Sequence, residues 1–323
     1  MNLALLKNWV PLRLFPRDGH TFVDWAYRGN ERFTDPFFEQ TITRCLRHPA
    51  NVLFRHQTPV DVLGELYEER RGLKPSGFVF HISRCGSTLI TQMLAAVERN
   101  IVISEARPVD QVLTGPMDDS QRIDCLRWIV NAFGQPRIPE EGYFFIKFDA
   151  WHVLQLPLIQ RAFPDVPWVF IYREPIEVMV SQRRERGVQV IPGALSPAMF
   201  GLDPNVPWMA RLDEYCARVL ARMCEAALEH HGRGRGRLVN FNELPDVVSG
   251  PLLEFFGVHY AAAERERVKA AAEFDAKRPG ITFENDTMAK QREATAELKE
   301  LAARFVEPVY ARLEAARFAR NTP

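Results

Sequence analysis

The sequence lacks most of the features that would place a protein by composition alone. Its 41 basic residues are balanced by 41 acidic ones, so no net field draws it to nucleic acid or to an anionic membrane. Any anion site must therefore be built locally. The five cysteines (Cys45, Cys85, Cys125, Cys216 and Cys224) are odd in number and scattered, and never spaced as C-x-x-C. This argues against a disulfide framework and a structural zinc site, and for a reducing compartment. The opening stretch, MNLALLKNWVPLRLF, has short apolar pieces broken by Lys7, Asn8 and Pro11, too short for a signal core or a membrane span. The expectation is a cytoplasmic chain with no membrane span. Internal repeats and Pro/Ser-rich linkers are also missing, so nothing divides the 323 residues into separate units.

What is present is enough apolar material for a large core, 46% of residues, in a recognisable order. Residues 1–75 are aromatic-rich, and DPFFEQTITRCLRH (35–48) reads as a helix that Asp35 could cap and Pro36 could open. The segment is expected to be a mostly helical extension, a candidate substrate lid or interface. From residue 76 the pattern alternates. The apolar runs FVFHI (78–82), IVIS (101–104), YFFIKF (143–148), PWVFIY (167–172) and RLVNF (237–241) are separated by helical stretches. Short, nearly continuous apolar strands alternating with helices predict an α/β three-layer sandwich, a central parallel sheet flanked by helices. Ligands of such sheets sit at the carboxyl ends of the strands. Residues 289–318 read as an amphipathic surface helix closing the unit.

The first strand runs into HISRCGSTLI (81–90), a glycine turn followed by a helix. Outward-pointing backbone N–H groups at a helix start suit a phosphate or sulfate group. Gly86 permits close approach, Ser87 and Thr88 add hydroxyls, and Arg84 adds charge. An ATP-binding loop of the form G-x-x-x-x-G-K-[ST] would need glycine at His81 and lysine at Ser87, and has neither. A second basic element, REPIEVMVSQRRERG, follows PWVFIY. Arg173 stands at the strand end, and Ser181 lies eight residues later in a helix opened by Pro175. Arginine and serine together can hold a phosphate dianion.

SRCGSTL and YREPIEVMVS together resemble the two cofactor signatures of the sulfotransferases that use 3'-phosphoadenosine 5'-phosphosulfate (PAPS). The resemblance spans about residues 77–285 and implies a P-loop nucleotide-binding type of fold, with 76–323 as the sulfotransferase domain. It implies that Arg84, Cys85, Gly86, Ser87 and Thr88 hold the 5'-phosphosulfate, and that Arg173 and Ser181 hold the 3'-phosphate. Ser83 stands where the family commonly has proline, and Cys85 where it has serine. Two weaker matches follow. RLVNFNELPDVVSGPLLEFFGV (237–258) is similar to the family's strand, turn and helix end, with Asn242 at a position that is more commonly acidic. KRPGITF (277–283) resembles the basic segment over the 3'-phosphate, to which Lys277 and Arg278 would contribute.

Sulfuryl transfer needs a base for the acceptor hydroxyl and cations where charge develops. The resemblance to the glutamate-base branch points to Glu105 as base, with Arg107 nearby and with Arg84 and Lys147 as stabilising cations. In the small-alcohol branch the base is the histidine of a K-T-H triplet. IKFDAW aligns Lys147 with that lysine and puts Asp149 in place of the histidine, so Asp149 is the second candidate and His152 the third. His81 reads as a packed strand residue. The expected co-substrate is PAPS, with adenosine 3',5'-bisphosphate (PAP) as product and no metal. The expected partner is a small-molecule, lipid or carbohydrate hydroxyl acceptor; nucleic acid is not expected, and a homodimer is allowed. Residues 188–208, rich in proline and glycine, are a candidate substrate loop. A nucleotide-dependent kinase and a non-catalytic nucleotide-binding or interaction domain remain alternatives.

Overall fold

The structure is a computed structural model, and it describes residues 3–232, 234–277 and 286–320. Five strands form the expected parallel sheet: β4 (Gly77–His81), β5 (Asn100–Ser104), β6 (Tyr143–Lys147), β7 (Trp168–Tyr172) and β8 (Gly236–Asn240). Their order is β5-β6-β4-β7-β8, and every pairing is parallel. Every residue of β4, β5 and β7 is buried, as strands covered on both faces require. From β4 the chain moves out to β5 and back to β6 on one side, then to β7 and β8 on the other. The loop after the central strand β4 therefore stands where the winding changes direction, the usual ligand crevice of such sheets.

The N-terminal segment differs from its expected helical character. It contains a three-stranded antiparallel sheet of β1 (Trp9–Arg17), β2 (His20–Tyr27) and β3 (His56–Pro59), with short helices around it. Asp18 and Gly19 both take positive φ, 52° and 78°, and form the two-residue hairpin that opposes Arg17 to His20. Two left-handed residues match the twist of the flanking strands, and Asp-Gly favours them. The expected helix forms at Phe38–Cys45, but Asp35 does not cap it. Asp35 instead accepts the Thr41 hydroxyl at 2.6 Å and pairs with Arg44. The extension is docked by Gln111, whose side chain accepts from the Leu14 N–H at 2.8 Å and donates to the Leu14 carbonyl at 2.7 Å.

The closing helix is broken into Thr287–Glu293, Ala296–Leu301, a π-helical turn at Ala302–Val306, and Glu307–Arg320. The break falls where the Thr295 hydroxyl caps the second piece. Leu298, Ala302, Val306, Val309 and Leu313 bury its inner face. Among the described residues no helix is long and apolar enough to cross a membrane.

Candidate active site

The residues that follow the sheet strands carry the candidate chemistry. β4 ends at His81, Glu105 follows β5, Lys147 ends β6, and Arg173 follows β7. Three non-glycine residues in these loops have positive φ, Ser83 (72°), Arg84 (54°) and Glu105 (55°), a strained setting common at ligand sites. Gly86 has φ 84°. A Cβ there would lie 2.8 Å from Leu244 Cδ1 and 2.9 Å from Phe241 Cδ2, so the 237–258 segment packs directly against the loop. Ser87 opens the helix Ser87–Ala95, and both Ser87 and Thr88 are buried.

Glu105, Lys147, Thr88 and His81 form one connected group. Lys147 Nζ is 2.8 Å from Glu105 Oε1 and donates to Thr88 Oγ1 at 3.1 Å. The Ser83 N–H donates to His81 Nδ1 at 3.0 Å, which leaves the ring proton on Nε2. That Nε2 faces the Phe148 carbonyl at 3.1 Å and Glu105 Oε1 at 3.3 Å. Burial lowers the His81 pKa, so the ring is neutral and acts as a donor. Burial alone would raise the Glu105 pKa, but the Lys147 charge and the His81 contact hold it well below the usual carboxylate range. His81 is thus the packed strand residue expected, with an added contact to the candidate base. That contact was not legible, because a strand-end histidine carries no signal of which loop it meets.

A cavity of about 240 Å³ opens on this group. Its lining brings together Arg84, Ser87, Thr88, Glu105, Asp149 and Lys277, with Phe37 from the N-terminal segment. Lys147 and Lys277 stand 5.0 Å and 5.6 Å from the Phe37 ring centroid. The Lys277 pKa is lowered by burial first, then by the charges of Arg84 and Lys147, a concentration of positive charge suited to an anion. Arg84 is tied to the 185–189 loop, donating to the Glu185 carbonyl at 2.7 Å and pairing with its carboxylate at 2.5 Å. Val188 and Gln189 also line the cavity, so part of the candidate substrate loop reaches it.

Cys85 differs in its manner of contribution. Its thiol is fully buried and donates to the Ile171 carbonyl at 3.1 Å, and burial pushes its pKa up to about 11. Only its backbone is left for a ligand. Arg173 and Ser181 lie outside the cavity lining. Arg173 is buried, 2.6 Å from Glu177, 3.1 Å from Asp286, and stacked 3.9 Å from the Phe241 ring centroid. Ser181 is half-buried on the helix Pro175–Arg184. Arg278 lies outside the described residues.

The second and third candidate bases form their own cluster. His152 is fully buried, with Nε2 2.9 Å from Asp110 Oδ1 and Nδ1 3.7 Å from Asp149 Oδ2. Trp151 Nε1 also donates to Asp110 at 2.9 Å. Burial lifts the Asp149 pKa to about 7, opposed by His152 and reinforced by Glu105 and Asp110. One ligand atom each from Asp110, Asp149 and His152 lies within 4.8 Å of the others, but the His152–Asp110 hydrogen bond already accounts for the approach.

Comparison with solved structures finds sulfotransferases. A sulfotransferase from Alicyclobacillus acidocaldarius is 17% identical with TM-score 0.45, covering 76% of this chain and 96% of that one. The sulfotransferase STF9 from Mycobacterium avium is 12% identical with TM-score 0.45, covering 77% and 80%. Mouse SULT7A1, solved with PAP, is 12% identical with TM-score 0.41, covering 79% and 94%. No family model matches the sequence, and no curated protein matches it. At such scores the likeness decides nothing about this chain's chemistry; the residues in the cavity must do so.

Proposed function

We propose that this chain is a PAPS-dependent sulfotransferase acting on a hydroxyl of a small-molecule, lipid or carbohydrate acceptor, with Glu105 as base. The observation that carries the reading is the cavity in which Arg84, Ser87, Thr88 and Lys277 face Glu105, with Lys147 bridging Thr88 and Glu105. The residues fit a phosphosulfate. A left-handed Gly86 precedes a helix start, two hydroxyls are buried there, and the Arg84 Nε has no hydrogen-bond partner. The fit to a 3'-phosphate is looser, because Arg173 already meets the carboxylates of Glu177 and Asp286.

When bound, PAPS supplies the sulfuryl group that the acceptor oxygen takes up. Glu105 receives the acceptor hydroxyl proton, oriented by the His81 Nε2–H. Lys147 holds a positive charge between Thr88 and Glu105, where negative charge grows during transfer. A lysine drawn off Glu105 by that charge leaves the carboxylate a stronger base, since the ion pair is what depresses it. Arg84, Ser87 and the backbone of 84–88 bind the phosphosulfate end, with Lys277 closing over it; Arg173 and Ser181 serve the 3'-phosphate. Phe37 gives residues 1–75 a share in the acceptor wall. A second reading rests on Asp149, which lines the same cavity with a pKa near neutrality, about 7, and could take the proton instead.

The test is incubation of the purified chain with sulfur-labelled PAPS and a cell extract, followed by mass spectrometry for products heavier by one SO3 group. Labelled product supports the reading. Magnesium-dependent ATP hydrolysis without sulfated product would move it to a kinase. Tight PAP binding with no transfer across a broad acceptor panel would leave a non-catalytic binding domain.

A further inference from the structure

A second basic cavity, of about 190 Å³, lies where the start of β1 meets the turn after β2 and the ends of the helices Asp61–Glu69 and Asp119–Phe133. It shares no residue with the Glu105 cavity. Four cations line it, Lys7, Arg28, Arg70 and Arg71, and no carboxylate does. Arg28 is only 5% exposed. Its guanidinium makes no hydrogen bond or ion pair among the described residues, and its Nε is buried without a partner. The Phe33 ring, 5.7 Å from Arg28 Cζ, gives it a weak contact only. Glu141, the largest acidic influence on Arg28, is held by Arg137 through both its backbone N–H and its Nε. Burial presses the Arg28 pKa below its ordinary value, as it does for a charge lacking a full counter-charge.

Arg70 repeats the pattern. It is half-buried, without an ion pair among the described residues, and its Nε too is buried and unpartnered. Lys7 at the surface is likewise unpaired, whereas Arg71 turns to Glu68 at 3.1 Å and stacks on Tyr67. Asn8, beside Lys7, has φ 64°, one of the few left-handed non-glycine residues in the chain. Buried charges are ordinarily paired, because an uncompensated one is costly. Two guanidinium groups lining one cavity without carboxylates provide the donors that a tetrahedral oxyanion accepts from.

We propose that this cavity binds a tetrahedral oxyanion, sulfate or phosphate, either free or as the terminal group of a small ester, held by Arg28 and Arg70 with Lys7 at its mouth. The site stands whether or not the chain transfers sulfuryl groups. It is tested on the full chain by equilibrium dialysis and thermal unfolding with three probes: inorganic sulfate, inorganic phosphate and glycerol phosphate. Binding of the inorganic ions identifies a free-anion site, and markedly tighter binding of glycerol phosphate identifies a site for esters. Arg28→Met and Arg70→Gln are each expected to weaken the anion by roughly tenfold or more. Because the other cavity can take the same anions, each comparison is also made in the Arg84→Ala background, where the binding that depends on Arg28 and Arg70 is expected to persist. In anion-free buffer Arg28→Met should unfold no earlier than the parent, since a buried unpaired charge is replaced by an apolar chain, and added phosphate should raise its midpoint less than it raises the parent's. Should Arg28→Met fail to fold, Arg70→Gln decides alone. Anion binding whose affinity and stoichiometry are unchanged by Arg70→Gln in the Arg84→Ala background, that vanishes altogether in Arg84→Ala, or that none of the three probes shows, overturns the proposal.

Discussion

Lys147 Nζ lies 2.8 Å from Glu105 Oε1 and 3.1 Å from Thr88 Oγ1, so one ammonium joins the end of β6 to the start of the helix after β4 and to the loop after β5. In this arrangement the candidate base is neutralised by the cation that would serve the transferring group. Glu105→Gln keeps the shape and removes the proton acceptor. Turnover with PAPS and an acceptor should fall by roughly 10²–10⁴ while PAP affinity, read by calorimetry, changes little. Loss of the same size in Asp149→Asn, with Glu105→Gln active, would transfer the role to Asp149.

How much of this could be read beforehand follows from where each signal lives. The sheet was legible because buried parallel strands write themselves as apolar runs, and the place of Arg84, Glu105, Lys147 and Arg173 at the sheet's carboxyl edge was legible because each lies at, or within a few residues of, the end of such a run. The R-D-G-H hairpin at 17–20 was equally available in the residues, and was obscured by the helical cues of 35–48. The contacts of His81, Phe37 and Glu185 were not legible. Each depends on which loops meet across the sheet edge, and a local pattern carries no such information. The same holds for Cys85, whose thiol turns to the Ile171 carbonyl rather than to the cavity.

Asp149 supplies a pH test. Its pKa is raised in the folded state, so its contribution to stability is neutral below the ordinary value of 3.8, grows unfavourable as pH rises, and levels above about 7. Asp149→Asn removes the ionisation. The difference in melting temperature, variant minus parent, should therefore climb through that window and then flatten. A difference independent of pH would show that Asp149 titrates normally.

Gly86 is required twice, by its φ of 84° and by the 2.8 Å that a Cβ would leave to Leu244 Cδ1. Gly86→Ala should destabilise by about 1–3 kcal/mol in denaturant unfolding, from the left-handed backbone and the displaced neighbours. PAP affinity should fall as well, because the same turn aims the loop. A neutral effect on both would mean that the loop relaxes freely.

Arg84 and Glu185 make a competing pair. The Glu185 side chain is 81% exposed, so the ion pair contributes little to stability, yet it occupies the guanidinium that the proposed phosphosulfate would need. Glu185→Gln should leave the melting temperature almost unchanged and tighten PAP by about two- to fivefold, the scale of an exposed ion pair. Weaker binding in Glu185→Gln would mean that the carboxylate orients Arg84 instead of competing for it.

Arg173 and Glu177 make the opposite case. Their side chains are 6% and 5% exposed and 2.6 Å apart, and Asp286 and the Phe241 ring complete the enclosure. Arg173→Met leaves the Glu177 carboxylate with hydrogen bonds from Thr287 and Gln291 but without its ion-pair partner, and should cost about 3–5 kcal/mol in chemical unfolding, as breaking a buried pair does. Removing both charges in Arg173→Met/Glu177→Leu should recover much of that loss, because the penalty is the unpaired charge and not the missing contact. PAP affinity separates structure from function here. If Arg173 holds the 3'-phosphate, the double variant folds well and still binds PAP poorly. If the pair is only structural, stability and affinity return together.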